Sequence, residues 1–367
     1  MRVGILTWSK SINHGAVLQA YASQELIRAM GCTPVMLNYT RNIDNLDSRL
    51  IRKIQLLTGK LNYEYIIVKR MLPSWNKEKK RVFEEFQRNK IDWGDYYNIE
   101  QKLNGVMIGS DMVFDFYEGY NPFMYGKEIQ APYCFSYAAS FGRTTESLFE
   151  KSIHKDEIVN LLQRLDGLGF RDDNTKRILS SQCGIYHATK TIDPVLLYGF
   201  SNEIHKWDSG KWKDKKYILV YSYTFNMDRK DEVSQIVSFA KKNNLKVISV
   251  GYLHRWCDES INASPEEFLE MFANAEFVIT DTFHGVVFSL ITNRQFGVII
   301  RDNSFKVCDV LKEVGLDGVW KEELPDRLMN LTNNPINYRA VNHRISELRK
   351  QSSAYLTEQI HAIGGLE

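Results

Sequence analysis

Six stretches of this chain place small, polar and basic residues directly after a short apolar run. Trp8, Ser9, Lys10, Asn13, His14 and Gly15 follow residues 3–7, and Gly109-Ser110-Asp111 follows residues 105–108. Ala138-Ala139-Ser140-Phe141-Gly142 follows residues 133–137, and Arg171-Asp172 follows residues 168–170. Asp281-Thr282-Phe283-His284-Gly285 follows residues 277–280, and Arg301, with Lys306 five residues on, follows residues 296–300. Cations, hydroxyls and glycines gathered in such places suit an anionic ligand. Guanidinium and ammonium groups meet its charge, and helix starts add backbone N–H groups and the positive end of a dipole. Each residue also has a plain structural use. Asn13 and Gly15 serve a turn, Gly109-Ser110-Asp111 serves a capping turn, and His284 is also simply a histidine in a helix's first turn.

The apolar runs read as strands of parallel sheets. Residues 3–7 form a buried strand, and residues 15–30 carry helical spacing with Leu18, Ala22 and Leu26 on one stripe. Gly31 stops that helix, and residues 33–37 form the next strand. A βαβ unit of this kind implies a parallel sheet with a right-handed crossover. The alternation breaks over residues 42–90, which read as two or three basic helices, and resumes at residue 105. A second series runs from residue 217 to residue 314, with strands at 217–221, 246–250, 277–280 and 296–300. A long helix over 339–363 ends the chain. The expected class is α/β: two Rossmann-like domains whose parallel sheets face a cleft. Residues 1–195 form the first domain with the basic insertion, 196–338 the second, and 339–367 the terminal helix. Ligands of such sheets collect at the C-terminal strand ends, where the six stretches lie.

Composition narrows the class. Hydrophobic residues make up 44% and charged residues 25%, a globular balance. Lys and Arg number 47 against 45 Asp and Glu, so the chain as a whole carries no polyanion-binding signature, and its basic residues interleave with no nucleic-acid motif. Residues 41–90 depart from this, with 13 Lys/Arg against 6 Asp/Glu. Five scattered cysteines without a CxxC pair argue against a disulfide framework or a zinc site and suit a reducing cytosol. The N-terminus reads as a strand and no apolar run reaches the ~20 residues of a membrane span. The expected location is cytoplasmic, with the basic segment as the part that could touch an inner membrane face. The dinucleotide fingerprint, the P-loop, the HExxH helix and the nucleophile elbow are all missing.

Taken in order, six blocks resemble the polysaccharide pyruvyl transferase family. They are residues 4–39 with their Asn-x-Gly loop and Ala-rich helix, Gly109-Ser110-Asp111 with Met112, Val113 and Phe114, and residues 136–142 (SYAASFG). Phe170-Arg171-Asp172, Asp193-Pro194-Val195-Leu196-Leu197 and residues 280–290 (TDTFHGVVFSL) complete the set. The resemblance implies a GT-B-like arrangement of two Rossmann-like domains, phosphoenolpyruvate as donor, and a sugar hydroxyl as acceptor on a nucleotide or lipid carrier. It also implies a surface polysaccharide, exopolysaccharide or capsule, as the destination. The sequence departs from the family in two places. Thr282 stands where some members have Arg two residues before the His, and Phe114 stands where Trp is usual.

Ketal formation from an enol phosphate requires a proton for the methylene carbon, cations for carboxylate and phosphate, and an acceptor for the sugar's hydroxyl proton. No metal or other cofactor is required for it. On this reading His284 is the general acid and Asp111 the candidate base. Arg171, Lys306 and Arg301, with Thr282 and Gly285, bind the donor, while Asn13, Gly15, Ser110 and Ser140 line the cleft and the acceptor side. Two other functions remain open on architecture alone: a GT-B glycosyltransferase using a nucleotide sugar, and a non-catalytic sugar- or nucleotide-binding protein. The basic segment has two uses, a contact with anionic membrane or a solvated face of packed helices.

Overall fold

Apolar runs too uniformly hydrophobic to face water on either side build two all-parallel sheets. Every residue of the strands Gly105–Ile108, Tyr217–Tyr221 and Phe277–Thr280 is buried, as expected where helices cover both faces. The structure, a computed structural model, describes residues 1–38, 63–95, 102–117, 119–301, 305–318 and 323–365. The first sheet holds β1 (Arg2–Leu6), β2 (Thr33–Asn38), β3 (Trp93–Asp95), β4 (Gly105–Ile108), β5 (Cys134–Ala139), β6 (Gly167–Phe170) and β7 (Thr189–Lys190) in the order β3-β2-β1-β4-β5-β6-β7. The second holds β8 (Tyr217–Tyr221), β9 (Lys246–Val250), β10 (Glu259–Ile261), β11 (Phe277–Thr280) and β12 (Gln295–Val298) in the order β10-β9-β8-β11-β12. Strand order reverses between β1 and β4 in one sheet and between β8 and β11 in the other. At such points the loops part and leave a crevice for ligand.

The helices that place the site are α1 (His14–Ala29), α2 (Tyr63–Lys90), α3 (Asp173–Ser181), α4 (Pro194–Tyr198), α5 (Pro265–Asn274), α6 (Phe283–Ile291), α7 (Phe305–Glu313) and α8 (Tyr338–Gly364). One apolar cluster runs from Ile5 and Val17 of the first domain through Leu196 and Phe200 to Phe268 and Phe288 of the second. Burial at about 25 cal/mol per Å² of apolar surface makes that continuity the main force holding the domains against each other. The terminal helix α8 returns to the first sheet. Its Tyr355 hydroxyl donates to the Ser136 carbonyl at 2.9 Å, and its Ser352 hydroxyl accepts the Ile192 N–H at 3.0 Å.

Three strands escape the sequence pattern. β3, β7 and β10 have three, two and three residues, too few to show a period, and each sits at a sheet edge. Of the basic segment, residues 39–62 lie outside the described residues, and residues 63–90 form a single helix that carries Pro73 within it. Gln87 of this helix donates through Nε2 to the carbonyls of Ser9 (3.0 Å) and Ser11 (3.2 Å), pinning the loop after β1. Its outer face pairs Arg81 with Glu78 at 2.7 Å and Lys80 with Glu84 at 3.6 Å, the neighbours expected at helical i,i+3 and i,i+4 spacing. Among the described residues no helix is long and apolar enough to cross a membrane.

Candidate active site

The loop after β1 ends in a capped helix start. Asn13 accepts the Ala16 N–H at 3.2 Å, and its Nδ2 donates to the hydroxyls of Tyr252 (2.9 Å) and Tyr223 (3.4 Å) in the second domain. Its role as N-cap is the structural one open from sequence, and the same side chain also spans the cleft. Gly15 does more than turn the chain. A Cβ there would lie 2.3 Å from Nδ1 of His284, so only glycine lets α1 lie against that imidazole. Helix α6 brings His284 from the opposite side. Thr282 caps that helix by accepting the Gly285 N–H at 2.9 Å, and a Cβ on Gly285 would lie 2.0 Å from the Thr280 hydroxyl. Thr282 and Gly285 therefore shape the helix start.

Gly109-Ser110-Asp111 is laced to the end of β5. The Gly109–Ser110 peptide is cis, and Asp111 sits at φ 70°, a conformation Asp tolerates better than most residues. The Asp111 carbonyl accepts the Ser140 N–H at 3.0 Å, and the Ser110 hydroxyl reaches the Ala138 carbonyl at 3.0 Å and Asp193 Oδ2 at 3.3 Å. Ser140 is fully buried. Its hydroxyl donates to Asp172, which caps α3 through the Thr175 N–H at 2.9 Å.

Five ionisable groups converge beneath these loops. Arg171 donates to Asp193 Oδ2 at 2.7 Å and to Asp111 at 3.4 Å, with its guanidinium 4.3 Å over the Phe283 ring. His284 Nε2 faces the same Asp193 oxygen at 3.7 Å. Burial pushes the Asp193 carboxyl up, but His284 and Arg171, with the Val195 N–H, outweigh it and hold it at about 2. Burial likewise pushes the Asp111 carboxyl up, and the charges of Lys306, Arg171 and His284 bring it below the ordinary carboxylate range. Both acids are thus acceptors at neutral pH. Lys306 Nζ lies 5.7 Å over Phe283 and 3.4 Å from the Met112 sulfur, and burial lowers its pKa.

A cavity of about 410 Å³ opens above this cluster, lined among others by His284, Asp111, Lys306, Lys10, Arg143 and Asn13. Side chains from the loops after β1, β4, β5, β8 and β11 meet there. The expected catalytic pair, His284 and Asp111, reaches the cavity, as does Lys306 of the residues expected to bind the donor. Arg171 does not line it. Its guanidinium, 4% exposed, lies behind Asp111 against Asp193. Arg301 also lies elsewhere, bonded through both terminal nitrogens to Glu232 at 2.8 and 2.9 Å and through Nε to Asp281 at 3.3 Å. Sequence reasoning passed over Arg143, Tyr223 and Asp193. Arg143 follows SYAASFG directly, and Asp193 opens the DPVLL segment, so position relative to a motif was the available signal. Among the described residues no group of three or more His, Cys, Asp or Glu is placed to hold a metal ion.

The profile of the polysaccharide pyruvyl transferase family matches residues 13–303, a span that includes His284, Arg171, Asp193 and Asp111. The chain belongs to that family. Comparison with curated protein sequences finds no match. Among solved structures, this pyruvyl transferase family member shares its fold with a UDP-GlcNAc 2-epimerase from Neisseria meningitidis, solved bound to UDP-GlcNAc. The TM-score is 0.55 and the identity 11%, over 99% of this chain and 100% of that one. The glycosyltransferase SnogD from Streptomyces nogalater is similar at TM-score 0.46 and 9% identity, over 99% of each chain. The epimerase likeness, at 11% identity, is one of fold alone. That fold, two parallel α/β sheets, is the GT-B arrangement expected of the family.

Proposed function

We propose that this transferase moves the pyruvyl group of phosphoenolpyruvate onto two hydroxyls of a carrier-linked sugar, giving a cyclic ketal and inorganic phosphate. The observation that carries the reading is the convergence of His284, Asp111 and the cations Lys306, Lys10 and Arg143 on one cavity between the domains. Its volume of about 410 Å³ suits a three-carbon phosphate ester together with the reacting edge of a sugar.

The chemistry distributes as follows. The imidazolium of His284 gives a proton to the methylene carbon of the donor, and C2 becomes electrophilic as the enol double bond closes into a methyl group. A sugar hydroxyl adds to C2 and passes its proton towards Asp111, which is a carboxylate and lines the same cavity. The C2–O bond to phosphate then breaks, and the second hydroxyl adds at C2 to close the ring. One hydroxyl proton restores His284 over the cycle and the other leaves with phosphate. Lys306, Lys10 and Arg143 hold the carboxylate and phosphate charge where it builds. Arg171 contributes from behind, by fixing Asp111 and the Asp193 carboxylate that faces His284, in the way a carboxylate orients a catalytic histidine.

Phosphate release from phosphoenolpyruvate, measured against a panel of nucleotide- and prenyl-diphosphate-linked sugars, tests this. Release that requires one such sugar and yields a product heavier by the pyruvyl ketal is expected. No acceptor-dependent release across the panel would overturn it. A reducing cytosolic setting fits the scattered cysteines. The paired charges along the outer face of α2 favour a solvated surface over a membrane contact. Flotation with anionic liposomes checks this, and the expected result is no binding.

A further inference from the structure

A second cavity, of about 330 Å³, opens beside the first and shares Ser11, Asn13 and Tyr223 with it. Trp75 and Lys79 of α2 form one wall; Tyr223 and Tyr252, after β8 and β9, form the other. Lys79 is the unexpected member. It is 4% exposed, and among the described residues no carboxylate or other acceptor meets its ammonium. Its neighbours are rings, with the Tyr252 centroid 4.1 Å away and that of Phe83 5.6 Å away.

Ring faces offset part of the cost of burying a cation, but an ammonium without an acceptor is still expensive to bury. Adjacent His14 does not help. Burial first, and then the Lys79 charge, hold it well below its ordinary range, and its Nε2–H is given to the Ala263 carbonyl at 2.9 Å. Burial also lowers Lys79, to about 8, which leaves it charged at neutral pH. An ammonium that opens on a cavity and meets rings but no carboxylate among the described residues is well placed to take an anionic ligand.

We propose that this second cavity is the acceptor subsite, in which Lys79 meets the phosphate of a glycosyl phosphate or diphosphate while Trp75 and Tyr223 take the C–H face of its sugar. A pyranose presents a face of C–H groups that packs on aromatic rings. Tyr223 is 46% exposed and so is available to a ligand. The shared wall at Asn13 and Tyr223 sets a sugar bound here against the cavity that holds His284. The inference rests on the proposed function for the word acceptor, and on Lys79 and the rings for the class of ligand.

Calorimetric titration of the full chain tests it. The probes are UDP-N-acetylglucosamine and UDP-galactose, with farnesyl-diphosphate-linked forms of the same two sugars. K79M keeps the side chain's apolar stem and removes the charge; Y223A alters an exposed ring. Binding of at least one probe is expected, weakened about tenfold or more by K79M and about threefold or more by Y223A. Phosphoenolpyruvate affinity should be unchanged by K79M, because Lys79 does not line the first cavity. Preference between the UDP and farnesyl forms identifies the carrier. No binding by any probe, or equal binding by wild type and both variants, would overturn the subsite. Lys79-dependent binding without phosphoenolpyruvate turnover would keep the subsite and refute the proposed reaction. Turnover in which both variants keep the wild-type acceptor KM would do the reverse.

Discussion

Arg171 and Arg301 occupy matching places, each just beyond a strand of its own sheet and each meeting two carboxylates. Arg171 follows β6 and meets Asp193 and Asp111. Arg301 lies three residues past β12 and meets Glu232 and Asp281. They differ in what the carboxylates do next. Asp193 also faces His284, which comes from the other domain, and Asp111 also lines the cavity. Glu232 and Asp281 belong to the same domain as Arg301. Asp281 accepts the Ser222 hydroxyl at 2.9 Å, tying the ends of β8 and β11 together. An arginine–carboxylate cluster at a strand end therefore does not mark a site by itself. On the reaction proposed above, it marks one where its acids are shared with His284 across the cleft.

Substitutions at the two clusters should separate widely. The largest effect falls on His284. H284A should lower turnover by roughly 10²–10⁴-fold, the usual worth of a positioned general acid, while donor affinity stays within a few-fold. Phosphate-release kinetics and donor titration read both. Next is D193N, which leaves Arg171 with only Asp111 of its two carboxylates and removes the charge facing His284. Breaking a buried pair costs about 3 kcal/mol, and turnover should fall about 10²-fold with the orientation of the imidazole. A pH series sharpens this test. The Asp193 carboxyl is held at about 2 in the folded chain, below the ordinary value of about 3.9. Its contribution to stability is therefore complete above pH ~4 and is lost as the pH falls from ~4 to ~2. Urea unfolding across that range should show a flatter acid limb in D193N than in wild type. Equal slopes would mean that Asp193 is not the stabilised acid.

How far the sequence reveals this arrangement depends on the length scale of each feature. Two parallel sheets were legible because β1, β4, β8 and β11 are continuous apolar runs separated by helical spacing. The short edge strands were not, and residues 42–90 read as two or three helices where residues 63–90 form the single helix α2. That His284 and Asp111 lie on the cavity was legible, because each follows an apolar run at a strand end. Asp193 was hidden by an ordinary role. Its Oδ1 caps α4 through the Val195 N–H at 2.9 Å, as an Asp before Pro should, while Oδ2 serves Arg171 and His284. Nothing in the spacing of positions 111, 171, 193 and 284 says that they meet. Their meeting follows from the packing of α6 against α1 and α4, a property of the whole core. Arg171 and Arg301 could not be told apart for the same reason, since the partners that define each lie 20 to 69 residues away in sequence.

Gly15 turns that packing into an intermediate test. In G15A a methyl carbon would fall 2.3 Å from the His284 Nδ1, so the ring or the start of α1 must move. The clash also reaches Cγ and Cβ of the buried His284, so overpacking of about 1–3 kcal/mol should outweigh any gain in helix propensity, and turnover should fall about tenfold. Steady-state kinetics at a temperature where thermal unfolding shows G15A fully folded reads the displacement of the imidazole separately from the loss of stability.

The smallest effect on chemistry belongs to Arg301, and it decides whether the comparison holds. R301Q removes the two-nitrogen pairing with Glu232 and the contact with Asp281, in a side chain 24% exposed. Charged hydrogen bonds of this kind contribute about 1–3 kcal/mol in total once solvent screening is allowed for, so the unfolding midpoint should drop. Asp281, already raised by burial, would lose the cation that restrains it. The folded fraction should keep its turnover within about twofold, because neither Glu232 nor Asp281 lines the cavity and neither meets His284. A turnover loss approaching that of D193N, with donor affinity falling alongside, would place Arg301 on the donor after all. It would also show that the two clusters close on one ligand when the domains move.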